Sequence, residues 1–111
     1  MIPRLNRPVM LEVSQDVPDG SGGYQQVWST LGMLWAEVLP GAGSTVSRGG
    51  IAAQVQKYKV TVRSAPVGAS SRPVPGQRFR DEIQTLVIET VADRDPQGRF
   101  LICQAREELY L

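Results

Sequence analysis

At 111 residues, 41% hydrophobic and 21% charged, the chain is sized for one domain that buries roughly two thirds of its unfolded surface without a disulfide or metal staple. Its net charge is +1 and it has no histidine, so the commonest general base and metal ligand are excluded and any catalysis would fall to carboxylates, Lys, Tyr or the lone Cys103. One cysteine excludes an intramolecular disulfide. No run approaches the ~18 apolar residues of a membrane span, and "MIPRLNRPVM" lacks the apolar core of a signal peptide, so synthesis in the cytoplasm with no membrane partner is expected.

In chain order, residues 1–7 form an N-terminal arm carrying Arg4 and Arg7. "VMLEVSQ" then alternates, with Val9, Leu11 and Val13 on one face and Met10, Glu12 and Ser14 on the other, the period of a half-buried strand. "DVPDGSGG" is dense turn chemistry. "YQQVWSTLGMLWAEVLP" predicts one long strand or two short ones, with Gly32 as a bulge or bend, and places Leu34, Ala36 and Val38 opposite Met33, Trp35 and Glu37.

The Gly/Ser-rich segment 40–56 is too long for a hairpin turn and predicts a long loop, with "GIAAQVQ" offering at most one short helical turn. "KYKVTVR" is the cleanest strand, setting Tyr58, Val60 and Val62 against Lys57, Lys59, Thr61 and Arg63. "SAPVGASSRPVPG" has the composition of a flexible connector and predicts a second loop over 64–76. "QRFRDEI", "TLVIETV" and "RFLICQARE" complete the series, the last two joined by the turn "ADRDPQG". The expectation is an all-β domain spanning 1–111, a small β-barrel or sandwich of about six strands with long loops and room for one short helix.

The near-neutral total conceals an asymmetry. Between Glu37 and Asp81 there is no acidic residue, but there are Arg48, Lys57, Lys59, Arg63, Arg72, Arg78 and Arg80. The rest of the chain carries a net −6. Such an interval suits either a surface held near phosphates or a solvated face paired with acidic surface on a neighbour. Aromatic residues are sparse in it, which argues against a stacking platform for single strands. A small nucleic-acid-binding barrel of the OB type is therefore the alternative rather than the leading function.

Other motifs carry little. "DRDPQG" begins like a calcium loop with Asp93, Asp95 and Gly98, but Gln104 stands where a bidentate Glu should close it, so a hairpin turn is expected. Cys103, with no His to activate it, is expected as a small core residue. Asp81 and Glu82 are adjacent on a strand and point to opposite faces, so they do not converge on a substrate. "GAGSTVSRGG" lacks the Lys-Ser/Thr ending of a phosphate loop. No catalytic, cofactor or metal residue is expected. Trp28 and Trp35 are either subunit contacts, given the enrichment of Trp at interfaces, or side chains covered within the fold.

In order and spacing, "GGYQQVW", "LWAEV", a long variable segment, "YKVTVR", "QRFR" and "LVIETVADRDPQGRFLICQARE" resemble the head–tail joining (head-closure, or stopper) proteins of tailed phages and gene transfer agents. The resemblance runs from about Arg4 to Glu108. One position departs from the pattern: Ser44 stands where relatives often carry a Glu. The resemblance implies a non-enzymatic protein, assembled in the bacterial cytoplasm as a ring of about six or twelve copies at the particle neck. There it would lie between portal or adaptor and tail, with packaged double-stranded DNA in its channel. It makes 40–56 a channel or docking loop, Arg48, Arg72, Arg78 and Arg80 candidates for facing DNA, and Arg4, Arg7, Trp28 and Trp35 candidates for interfaces.

Overall fold

The computed structural model describes residues 2–110, apart from the side chains of Arg48 and of residues 108–110. Six strands, β1 (Arg7–Pro18), β2 (Tyr24–Arg48), β3 (Ile51–Arg63), β4 (Arg78–Arg80), β5 (Thr85–Asp93) and β6 (Phe100–Tyr110), pair antiparallel in the order β1-β2-β3-β6-β5-β4. β4 returns to β1, so the sheet closes on itself. Closure hangs on the shortest strand. β4 has three residues, which pair with Met10–Glu12 on one side and Thr85–Val87 on the other.

The interior is where the alternation put it. Val9 and Leu11 of β1, Ala36 of β2, Val60 and Val62 of β3, Phe79 of β4 and Leu101, Cys103 and Ala105 of β6 are all buried in one cluster, with Leu34, Val38 and Tyr58 packed against it. Cys103 is among them, and burial pushes its thiol up to about 12, so it is a packing residue. Thr61, on the opposite side of β3 from Val60 and Val62, is also buried. It pairs with Glu37, whose carboxylate accepts the Arg4 backbone N–H at 2.9 Å. The N-terminal arm thus runs along the outside of the sheet, with Pro3 buried.

Two expectations are corrected. Segment 40–56 is not a loop: β2 and β3 continue through it, paired from Ala36↔Val62 out to Arg48↔Ile51. The turn is only Gly49-Gly50, with φ of 58° and 82°, the positive angles that a two-residue hairpin of matching twist demands and glycine supplies without strain. Nor does "GIAAQVQ" form a helical turn. Residues 51–56 are strand, and there is no helix among the described residues. The ladder slips between Pro40 and Gly43, where Gln56 Nε2 donates to Gly41 O at 2.9 Å and to Lys57 O at 3.0 Å and so fastens the irregularity.

Segment 64–76 does lack strand structure. "YQQVWSTLGMLWAEVLP" is one strand with an irregularity between Leu11 and Glu12, opposite Leu31 and Gly32, where Gly32 has φ of 155°.

Two stretches leave the body. No side chain from 13 to 35 is buried, and none of those described from 37 to 52. The β1–β2 hairpin beyond Glu12 is therefore a ribbon extending from the core, and so is the β2–β3 hairpin beyond the Val46↔Ala53 pair. Before that point β6 flanks β3 out to Ala53↔Tyr110, and Ala53 and Val55 are buried.

Because β4 closes the sheet with Phe79 as its only buried side chain (1% exposed), Phe79→Ala is expected to cost about 3–5 kcal/mol, the usual penalty for emptying a core aromatic site. Ile51→Ala, at the exposed ribbon end, should stay within about 0.5 kcal/mol. Urea titration of the two variants checks the contrast, and comparable losses would contradict it.

Candidate functional site

The strand pairing of β1 with β2 sets Pro8 opposite Trp35, Met10 opposite Met33, Glu12 opposite Thr30 and Ser14 opposite Trp28. Cross-strand partners share a face, so these residues form one stripe along the outside of the sheet, with Val9, Leu11 and Leu34 on its inner side. At one end the stripe is apolar. Met33 and Trp35 are 50% and 51% exposed, and Met10, Pro8 and Met33 line a groove of about 500 Å³ whose far wall is Arg80–Ile83. Ile83 is 83% exposed. Clustered apolar exposure with a charged rim is the general composition of protein interaction surfaces.

The rim is held by ion pairs. Arg7 donates through Nε and Nη2 to Asp81, and through Nη2 to Gln84 Oε1 at 2.6 Å. Asp81 also accepts the backbone N–H groups of Ile83 and Gln84, both at 2.9 Å, which builds the tight turn presenting Ile83. Burial pushes the Asp81 carboxyl up, but the Ile83 N–H, Arg7 and the Gln84 N–H together hold it below the usual aspartate range.

Farther along the stripe, Glu12 is 4% exposed and accepts Arg78 Nε at 2.7 Å and Arg80 Nε at 2.8 Å, one guanidinium to each oxygen. The Arg78 guanidinium also lies 4.0 Å from the Trp28 ring centroid, a cation–π contact.

These positions redistribute the residues singled out from the sequence. Arg78, Arg80 and Trp28 are brought together around Glu12, so these two cations share one carboxylate within the fold and the cluster keeps a net positive charge. Lys57 is likewise paired, with Glu89 at 2.6 Å. Arg7 and Trp35 lie at the same end of the apolar stretch, one step apart in the β1–β2 ladder. Arg4 meets Glu37 through its backbone. Arg72 stands apart in the 64–76 segment, donating to Ala65 O at 3.0 Å. The Arg48 side chain lies outside the described residues, and its backbone ends β2 beside the Gly49-Gly50 turn.

A second cationic cluster was not anticipated. Arg63, Arg94 and Arg99 surround the Phe100 ring at 5.8, 5.9 and 5.8 Å. Asp95, in the expected turn between β5 and β6, accepts Arg99 Nε at 2.9 Å and its backbone N–H at 3.0 Å. Their separation of some 30 residues hid the cluster, which only the β3–β6 pairing Arg63↔Phe100 reveals. Glu12 was missed because an isolated carboxylate on an alternating strand reads as solvated. Nothing in this arrangement of packed apolar residues and satisfied ion pairs resembles a reaction centre, and among the described residues no group of His, Cys, Asp and Glu could hold a metal ion.

Removing the charge of Glu12 strands two arginines, one of them half in water. Glu12→Gln is therefore expected to destabilise the fold by about 2 kcal/mol, less than for a fully buried pair. Burial pushes the Glu12 carboxyl up but Arg80 and Arg78 outweigh it, leaving it below the ordinary value of 4.5. A carboxyl lowered on folding contributes its full stability above the unfolded value and loses it as pH falls through the folded one. The wild-type advantage over Glu12→Gln should thus be complete at neutral pH, shrink below pH 4.5 and vanish in stronger acid. Thermal melts across that range test it, and a pH-independent difference would contradict it.

The comparisons with known proteins agree with this surface-centred picture. The family model of the phage head completion proteins matches residues 1–108. A chain from a solved structure described as the virion of a native gene transfer agent particle is 43% identical, with a TM-score of 0.88, and the alignment covers 99% of this chain and 100% of that one. No curated protein matches. With a match across nearly its whole length to a structural rather than an enzymatic family, the chain belongs to the phage head completion proteins.

Proposed function

We propose that the protein is a head-closure connector of a phage or gene transfer agent particle. It forms a ring at the neck, docks portal or adaptor on one side and tail on the other, and keeps packaged DNA in the head. The observation that carries this reading is the 43% identity, over 99% of the chain, to a component of a gene transfer agent virion. The geometry supports it in kind: an exposed apolar stripe and two ribbons extending from a small core are features for contacting other chains.

In this role the β2–β3 ribbon supplies the docking or channel-facing element first sought in a loop. Between Glu37 and Lys57 it carries Arg48 and no carboxylate, so it approaches packaged DNA without like-charge repulsion. No specific observation favours a free nucleic-acid-binding barrel. Of the cations in the acid-free interval, Lys57, Arg78 and Arg80 are paired with carboxylates.

Quantitative mass spectrometry of purified particles, scaled to the major capsid protein, should find about six or twelve copies of this chain, as a closed cyclic ring requires. Its absence from particles would refute the connector role. Within particles that assemble, replacing residues 42–54 by a short turn should preserve incorporation but lower DNA content and titre. Unchanged DNA content would remove the ribbon from DNA retention.

A further inference from the structure

The β1–β2 ribbon has two bare edges. β4 covers β1 only at Met10–Glu12, and β3 joins β2 only from Ala36 onward. Among the described residues no other backbone hydrogen bond reaches 13–18 or 24–35. An isolated two-stranded ribbon is marginal in water, and this one contributes no buried side chain. Exposed edges in natural proteins are ordinarily guarded by charges, Lys or Pro, yet residues 24–35 contain no charged residue and no proline. The β1 edge carries Asp16 and ends at Pro18.

We infer that these two edges are made for each other in neighbouring copies, the β2 edge of one chain over residues 24–31 taking the β1 edge of the next over 13–18. This rests on the ring assembly proposed above and names the contact that would build it. Three observations select a second copy of this chain as the occupant. The edges belong to strands already in register with one another, Val13↔Ser29 through Pro18↔Tyr24, so their lengths and twist match. They lie on opposite sides of one ribbon, so the contact is head-to-tail, the kind that closes rings rather than dimers. The β2 edge carries no carboxylate to oppose Asp16. Copies rotated about an axis along the strands keep their strand directions, so the added pair is antiparallel, as β1–β2 is. The ribbons then form a continuous belt in which each two-stranded unit gains a partner on both sides.

The test uses two singly substituted chains, Asp16→Cys and Gln26→Cys, which face the same side of the ribbon. They are produced together in cells that assemble particles, and purified particles are treated with a bismaleimide long enough to tolerate a two-residue slip in register. Cys103 is buried and stays silent. Because each chain carries one introduced thiol, a linked dimer reports a contact between chains. Particles containing both variants should yield about tenfold or more linked dimer than particles with either alone, as adjacent strands hold the thiols at high effective concentration. The chain present at ring copy number with no linked dimer, or linked instead to a different protein, would overturn the edge pairing and leave the neck role standing. Absence of the chain from particles would overturn both.

Discussion

The outer apolar stripe is positioned by the closure of the sheet at β4, and that closure depends on one buried aromatic ring and one buried carboxylate. Three residues provide little ladder of their own. Their hold comes from Phe79 on the inside and from Glu12 on the outside, which clamps the arginines on either side of Phe79. Hydrophobic burial fixes how deep the strand sits, and the paired guanidiniums fix its register against β1. Arg78 also packs over the Trp28 ring, and Arg7 and Asp81 hold the turn that carries Ile83. The exposed apolar stripe is thereby flanked by ion pairs that tie β4 and its turn to β1.

The strands and their inward faces were legible because β-structure with one buried face writes itself as alternation. Leu34, Ala36 and Val38, and Val60 with Val62, lie where the pattern placed them. Segment 40–56 was misread for a physical reason. Glycine and serine score poorly as strand formers, yet strand preference reports mainly how a side chain fits its neighbours, and here β3 supplies those neighbours residue by residue, itself flanked by β6 from Ala53 onward. "RGGI" contains the turn, but glycine is so common nearby that the one pair needing positive φ does not stand out.

The charge asymmetry was real but its partners were not visible from spacing. Positive residues from the acid-free interval meet carboxylates from outside it: Arg78 and Arg80 meet Glu12, and Lys57 meets Glu89. Such pairs span 66, 68 and 32 residues, distances at which only topology decides who meets whom. What looked like a field reaching toward a partner is in good part the internal electrostatics of the fold. The Arg63, Arg94 and Arg99 cluster at Phe100 is the converse case, assembled by strand pairing from positions that composition gave no reason to group.

One feature links the two extending ribbons: both contain β2. Its 25 residues, about 80 Å if straight at ~3.3 Å per residue, are folded into a molecule whose longest dimension is 48 Å, with irregularities near Gly32 and Pro40–Gly43 taking up the bends. A pull applied to either ribbon is therefore carried to the other through peptide bonds rather than through a chain of hydrogen bonds. The strand is a tie-rod through the body. Strain arriving at one end of the molecule reaches the other without the core having to unfold, and the two bends are where it would first be relieved.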